Sequence, residues 1–472
     1  MKTAQHLDVA ILGAGTAGLS AQREVARHTD KYRVIDPGPL GTACARAACM
    51  PSKALIEVAG LCHGIRHAPR GLDATRLDVD TADVMRHVRA LRDRFVDGVL
   101  AGMREWQDTH YIRGRAQFID PQTLDVNGAR LTAERVIIAT GSAPGLPEPW
   151  TRFRDHLLDS DRIFELRELP GSLAVIGLGP VGIELAQALQ RLGTAVTGVD
   201  PGRNVGGLTD PAVQECAIDA FSRSMTLRFA AAEIEHADDR GVRISADGAT
   251  VQAETALVAT GRPPAIDGLG LDRLGVPLND RGLPEFDAHT LQVGDLPVFI
   301  AGDANGSRPL LHEAADEGRI AAWNALRDEP TCFERRTPLA ITFTAPNIAR
   351  VGARFAELDD GTADFVTGAA RFEGQGRARM MGVTTGLMHV YAAREDGRVL
   401  GAELFAPAGE HLAHLLAWAI SAGMSVHELM RMPYYHPVLE EALRTAVRDA
   451  AKRTDGPADA AESMRCRDYP VH

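Results

Sequence analysis

The chain has 472 residues, 45% hydrophobic and 24% charged, which is ordinary globular composition in a length too great for a single core. Its net charge of -12, with no basic cluster, argues against nucleic acid or an anionic membrane surface as a general partner. No apolar run is long enough to span a bilayer, and six cysteines are too sparse for a secreted disulfide scaffold, so a cytoplasmic, reducing setting is expected in which any disulfide is catalytic.

Leu7-Asp8-Val9-Ala10-Ile11-Leu12 reads as a strand buried on both faces, and Gly13-Ala14-Gly15-Thr16-Ala17-Gly18 leads it into a helical pattern from Leu19 to Val25. In such a turn the first glycine permits the tight bend, the second lets a pyrophosphate approach the backbone, and the third lets helix and strand pack closely. The next strand, Tyr32 to Ile35, ends on Asp36, where a carboxylate meets a ribose hydroxyl.

Cys44 and Cys49 follow, with four residues between them, and run on into Met50-Pro51-Ser52-Lys53. Thiols this close can be bridged across a distorted first helical turn, and unpaired N–H groups at a helix start favour the thiolate. The residues alone leave two readings, a redox switch or a pair of buried apolar cysteines. From Asp73 to Arg113, helical spacing through Val84, Val88, Leu91, Phe95, Val96 and Leu100 predicts a long amphipathic crossover.

The glycine device then recurs. Leu173 to Ile176 runs into Gly177-Leu178-Gly179-Pro180-Val181-Gly182, and the strand Ala195 to Val199 ends on Asp200. Asp36 and Asp200 each stand 18 positions after their third glycine, and each continues as Asp-Pro-Gly. Matched spacing in an internal repeat points to two dinucleotide sites. Two apolar strands also end alike, one in Ala139-Thr140-Gly141 and one in Ala259-Thr260-Gly261-Arg262, giving each module one exit at the carboxyl edge of its sheet. A further strand, Pro297 to Ile300, ends in Gly302-Asp303; Asp303 either binds a ribityl or ribose hydroxyl or caps the helix that runs from Pro309 to about Leu326.

After Pro338 the pattern changes to short β-like runs at Ile341–Phe343, Ile348–Val351, Ala369–Phe372, Gly386–Val390 and Val399–Leu404. They predict an antiparallel sheet covered by helices at His411–Met424 and Val438–Ala451. Within this region His436-Pro437 opens a helix whose next turn carries Glu441, a carboxylate placed to orient the imidazole. The tail from Lys452 to His472 is polar and holds the lone Cys466.

Taken in order, the Cys-x4-Cys-x-Pro-Ser-Lys element, both glycine fingerprints, Gly302-Asp303 and His436-Pro437 resemble the class I pyridine nucleotide-disulfide oxidoreductases, over nearly the whole chain. The resemblance implies an α/β protein: two Rossmann-like dinucleotide-binding domains plus a C-terminal α+β dimerisation domain. Its expected segments are an FAD-binding domain over 1–150, an NAD(P)-binding domain over 151–275, a central segment returning to the FAD domain over 276–335, a dimerisation domain over 336–455 and a polar tail over 456–472. By position, Cys49 matches the sulfur beside the flavin and Cys44 the one that exchanges with substrate. Lys53 and Glu184 match a pair near the isoalloxazine. Gly13, Gly15, Gly18, Asp36, Thr140, Gly141, Gly302 and Asp303 fall in the FAD half, and Gly177, Gly179, Gly182, Asp200, Gly261 and Arg262 in the nicotinamide half. His436 matches an acid/base oriented by Glu441 that reaches the partner subunit's disulfide, which implies a homodimer with a shared active site.

The implied cofactors are FAD and NAD. Asp200 favours NAD over NADP because a carboxylate repels a 2'-phosphate, although Arg203 lies close by in sequence. No metal site is expected. The implied function is electron relay between NAD(H), flavin and the Cys44–Cys49 disulfide to a dithiol/disulfide substrate, with dihydrolipoamide/lipoamide leading and a 2-oxo acid dehydrogenase complex as an expected partner. A glutathione-type or unassigned disulfide reductase, and a flavin-dependent nicotinamide transhydrogenase, are the alternatives. The chain departs from the family pattern at Arg46 and Ala48, where many members have Asn and Gly, and at Val438, where Thr often follows His-Pro.

Overall fold

The computed structural model describes residues 5–69, 71–72 and 77–456. Cys466 and most of the tail lie outside these residues. A parallel sheet at the amino end runs in the order Tyr111–Arg113, Tyr32–Asp36, Gln5–Leu12, Ala129–Ile138, Val298–Ile300. The last strand comes from far along the chain: after the second nucleotide module, Val298–Ile300 returns to pair with 136–138. A hairpin of Ala116–Asp120 and Thr123–Val126 lies antiparallel against the start of Ala129–Ile138. That strand therefore begins earlier than its apolar run from Val136 indicates, since its first residues pair with both the hairpin and Gln5–Leu12.

The glycine turn opens the helix Thr16–Val25, three residues ahead of the apolar pattern. The polar stretch between the modules is two helices, Thr81–Ala101 and Arg104–His110, and it finishes on the edge strand Tyr111–Arg113. Asp80 caps the first of these by accepting from Asp83 N at 3.0 Å.

The second module is a parallel sheet in the order Thr226–Phe229, Ala195–Asp200, Ser172–Ile176, Thr255–Val258, Leu157–Leu158. A three-stranded antiparallel meander, Ala232–Asp238, Gly241–Ala246 and Ala249–Ala253, is appended to it; the sequence patterns did not anticipate this element. The carboxyl-terminal region is a five-stranded antiparallel sheet ordered Leu339–Thr342, Asn347–Gly352, Val399–Ala406, Leu387–Ala393, Phe365–Arg371. Helices Gly409–Ser421 and Glu441–Ala451 bury an apolar core of Leu412, Leu416, Leu443 and Val447 against it. The second helix starts at Glu441 rather than Val438, because Pro437 has no N–H and the residues after it form a turn.

Two buried carboxylates join this sheet to the second module. Glu403, fully buried, accepts from Thr209 N at 2.7 Å, Asp210 N at 3.0 Å and Phe355 N at 3.1 Å. Asp210 caps the helix Pro211–Ser222 and accepts from Tyr391 OH at 2.9 Å, with His389 Nδ1 2.6 Å away. An unpaired buried carboxylate is costly, so these bonds fix how the two regions dock. Among the described residues no helix is long and apolar enough to cross a membrane.

Candidate active site

The two glycine turns have the same local geometry. Gly13 sits at φ +110°, and a Cβ there would stand 2.2 Å from Ala139 O; Gly177 sits at φ +96°, with Ala259 O at 2.4 Å. The two Ala-Thr-Gly exits are thus the floors under the two turns. A Cβ on Gly18 would meet Gly13 O at 2.0 Å and one on Gly182 would meet Gly177 O at 1.8 Å, so helix and strand touch through bare backbone. Over the middle glycines, Gly15 and Gly179, nothing lies within 4 Å. That open face at a helix start is where a pyrophosphate fits.

Each acidic strand end braces its own turn. Asp36 accepts from Ala14 N at 2.8 Å and Gly38 N at 2.6 Å; Asp200 accepts from Leu178 N at 2.8 Å and Gly202 N at 2.9 Å. A carboxylate has about four acceptor positions, so lone pairs remain for ribose hydroxyls. Thr140, beside Ala139 under Gly13, has a buried Oγ1 without a partner. An open glycine face, an orphan hydroxyl and a braced carboxylate together fit a dinucleotide. In the second module Arg203 pairs with Glu215, with Nη2 2.6 Å from Oε2, and lies over the Phe229 ring, whose strand pairs with the end of the Asp200 strand.

The cysteine pair straddles a break between two helices. Thr42 caps Ala43–Ala47, Ala48 leaves the helical region at φ -130° and ψ -95°, and Cys49 begins Cys49–Arg66. Both thiols are half-buried and unbridged. They share a hydrogen bond, and this pushes the Cys44 thiol up, burial adding to the effect. The same bond lowers Cys49 to about 7, with Lys53 assisting and burial opposing. Lys53 Nζ lies 2.8 Å from Oε2 of the buried Glu184 and 4.7 Å from the Phe343 ring centroid. Arg46 lies along Gly41 instead, with its Nε buried and unpartnered. The cation that bears on Cys49 is Lys53.

His436 Nδ1 is 3.0 Å from Glu441 Oε2, and Arg444 donates to the other oxygen at 2.9 Å. The carboxylate is largely covered, whereas the His436 side chain is 77% exposed in the single chain. An oriented imidazole is therefore presented at the surface of the carboxyl-terminal region.

The remaining candidates meet where the two modules join. Ser142 Oγ donates to Asp303 Oδ2 at 2.6 Å, and Arg262 Nη1 donates to Ser160 Oγ and Asp161 Oδ1, each at 2.8 Å. Arg262 is thus bound to the protein on the residues that link the modules. Gly141 and Gly261 both hold positive φ at the exits.

Several residues of the site carry no local signature. Glu317, fully buried in Leu311–Ala325, accepts from Gly302 N at 2.6 Å and Asn305 Nδ2 at 2.8 Å, and Arg335 Nη2 stands 2.8 Å from its other oxygen. Burial pushes its carboxyl pKa up while Arg335 opposes. It holds the turn that carries Asp303. The only hint in sequence is a glutamate among the apolar positions of that helix, followed by Gly318, whose Cβ would strike Ala17 O at 2.1 Å. Phe343 and Gln187 give no hint at all.

The chain matches the family model described as pyridine nucleotide-disulphide oxidoreductase over residues 7–318, and the dimerisation domain of the same family over 339–447. It is 29% identical over 446 residues to dihydrolipoyl dehydrogenase from Geobacillus stearothermophilus, covering 91% of this chain and 93% of the relative. It is 27% identical to mercuric reductase from Lysinibacillus sphaericus, covering 93% and 82%. Among solved structures, the Cu(II) complex of the HOCl-induced flavoprotein disulfide reductase RclA from Escherichia coli shares the fold, with TM-score 0.81 at 22% identity over 94% of this chain and 99% of that one. With two matched dinucleotide cradles, a paired dithiol and a matched dimerisation domain, the chain belongs to the pyridine nucleotide-disulphide oxidoreductase family, homodimeric flavoprotein oxidoreductases that act on sulfur groups and use FAD with a nicotinamide cofactor.

Proposed function

We propose that this enzyme uses NAD(H) and that its substrate is a dithiol/disulfide of the dihydrolipoamide/lipoamide type. The observation that carries the reading is the Cys44 and Cys49 pair itself, two half-buried, unbridged thiols on either side of a helix break, with Lys53 paired to the buried Glu184 one turn further along the same helix. FAD, when bound, supplies the two-electron exchange between the nicotinamide nucleotide and the cysteine pair. The first cradle, with Gly13, Gly15, Gly18, Asp36, Thr140, Gly141, Gly302 and Asp303, holds the FAD. The second, with Gly177, Gly179, Gly182, Asp200, Gly261 and Arg262, holds the nicotinamide nucleotide.

Cys49 stays as thiolate, with Lys53 and Glu184 beside it. Cys44 keeps its proton until a base removes it, and His436 of the partner subunit is that base, oriented by Glu441. In the reducing direction Cys44 thiolate attacks one sulfur of a substrate disulfide, forming a mixed disulfide and releasing one substrate thiolate, which takes its proton from His436 of the partner subunit. Cys49 thiolate then attacks Cys44 Sγ, closing the Cys44–Cys49 disulfide and freeing the second substrate thiolate. The oxidising direction reverses each step.

Asp200 at the strand end supports NAD over NADP, since a carboxylate accepts from a free ribose 2'-hydroxyl and repels a 2'-phosphate, and Arg203 is paired with Glu215. The likeness to dihydrolipoyl dehydrogenase supports the lipoamide-type substrate and, with it, membership of a 2-oxo acid dehydrogenase complex in the cytoplasm. The test is lipoamide-dependent turnover of NAD(H) by the purified FAD-loaded dimer, repeated with Cys44→Ser. Turnover that drops by roughly a thousandfold or more in the variant is expected. No turnover of lipoamide by the wild type, or full turnover by the variant, rejects the reading.

A further inference from the structure

The helix Pro180–Arg191, which starts at the second glycine turn, carries three buried polar side chains on one face: Glu184, Gln187 and Arg191. All three hold the short connection after the strand Leu339–Thr342. Glu184 Oε1 accepts from Phe343 N at 2.5 Å. Gln187 accepts from Ala345 N at 2.8 Å and donates to Ala345 O at 3.0 Å, and Arg191 Nη2 donates to the same oxygen at 2.7 Å. Buried polar groups this completely paired fix a backbone in one place.

The pinned segment presents one aromatic ring to the cysteine helix. Lys53 Nζ lies 4.7 Å from the Phe343 centroid and 2.8 Å from Glu184 Oε2, and the same glutamate is held by the Phe343 amide. One contact on this flexible ammonium is the Phe343 ring itself, and the other is Glu184, whose second oxygen is held by the Phe343 amide. A lysine side chain has four carbons of freedom and would otherwise spread over many rotamers. Lys53 stands one helical turn after Cys49 on the same helix. We propose that Phe343 is a positioning residue for the redox pair, its ring and amide together holding Lys53 beside Cys49, so that docking of the carboxyl-terminal sheet sets the electrostatics of a thiol in the amino-terminal domain. The inference rests on the disulfide-relay reading above. It is in accord with the contribution of Lys53 to the low pKa of Cys49.

The test is a pH titration of the two-electron-reduced, FAD-loaded enzyme, read as the long-wavelength absorption of a thiolate beside oxidised flavin. Phe343→Leu and Phe343→Met, which stay apolar but remove the aromatic face, are each expected to raise the midpoint by roughly half a pH unit with FAD content retained. Phe343→Tyr is expected to keep the wild-type midpoint. In a Lys53→Met background, Phe343→Leu is expected to add no further shift, which separates an effect through Lys53 from general loosening. An unmoved midpoint in the Leu and Met variants, or an equal added shift without Lys53, overturns the role of Phe343 while leaving the relay intact. A wild-type enzyme with no such absorption overturns the relay itself.

Discussion

At Gly13 and at Gly177 the backbone is folded against the same kind of wall, a carbonyl of an Ala-Thr-Gly exit, and each turn is braced by the carboxylate that ends the next strand. Their surroundings diverge. The first cradle gains Gly302-Asp303 from a strand that returns from beyond the second module, with Ser142 tied to Asp303 across 161 positions and Glu317 holding the turn from behind. Among the described residues the second gains no such strand; its nearby arginine pairs with Glu215, and its helix spends one face on residues 343–345. The lesson is that a fingerprint specifies a dinucleotide cradle, whereas the elements packed around it decide which dinucleotide and to what end.

Substitutions in each cradle test whether the two are equivalent. The largest effect is expected from Gly18→Val and Gly182→Val, because each puts a side chain within about 2 Å of a backbone oxygen that cannot move. Either should cost on the order of 4 kcal/mol or more, seen as loss of soluble protein or a collapsed Tm. A tolerant variant in one module alone would end the equivalence of the two turns. Next come Gly15→Ala and Gly179→Ala, which meet nothing within 4 Å and so leave the fold intact. The first is expected to weaken FAD retention by roughly tenfold or more and the second to raise KM for NADH to a similar degree with FAD still bound, as loss of backbone contacts to a charged phosphate predicts. Exchange of those two phenotypes reverses the assignment of the cradles. A step smaller, Asp200→Ala should cut kcat/KM with NADH by about tenfold and narrow the preference over NADPH; an unchanged ratio removes Asp200 from nucleotide selection. The smallest effect is a pH dependence. Because the Cys49 thiol is lowered to about 7, its thiolate is full well above that pH and is lost as the pH falls through it. In a Cys44→Ala dimer, which removes the hydrogen-bond donor that is the first cause of the shift, iodoacetamide labelling of Cys49 should show the midpoint rise toward an ordinary thiol value; an unmoved midpoint removes Cys44 as the cause.

Legibility followed sequence distance. The two cradles were readable because each is written in a short stretch whose spacing obeys backbone geometry, and His436 with Glu441 was readable for the same reason. Helix starts shifted by a few residues where turn chemistry overrode apolar periodicity, as at Thr16 and Glu441. The hairpin at 116–126 and the meander at 232–253 escaped because short, partly exposed strands carry weak alternation. Glu317, Gln187 and Phe343 escaped for a different reason, since what each does depends on a partner that only folding brings near.

By itself, then, the order of residues determined two nucleotide cradles, a paired thiol ahead of Pro-Ser-Lys and an oriented imidazole, because each is a local arrangement closed by backbone hydrogen bonds within a few turns. Only the tertiary structure decided that Lys53 would be held between Glu184 and Phe343, that Arg203 would face Glu215, and that Glu403 and Asp210 would bind one region to another. Those contacts join residues whose separation along the chain carries no geometric information; burial, which makes an unpaired polar group costly, selects the partner.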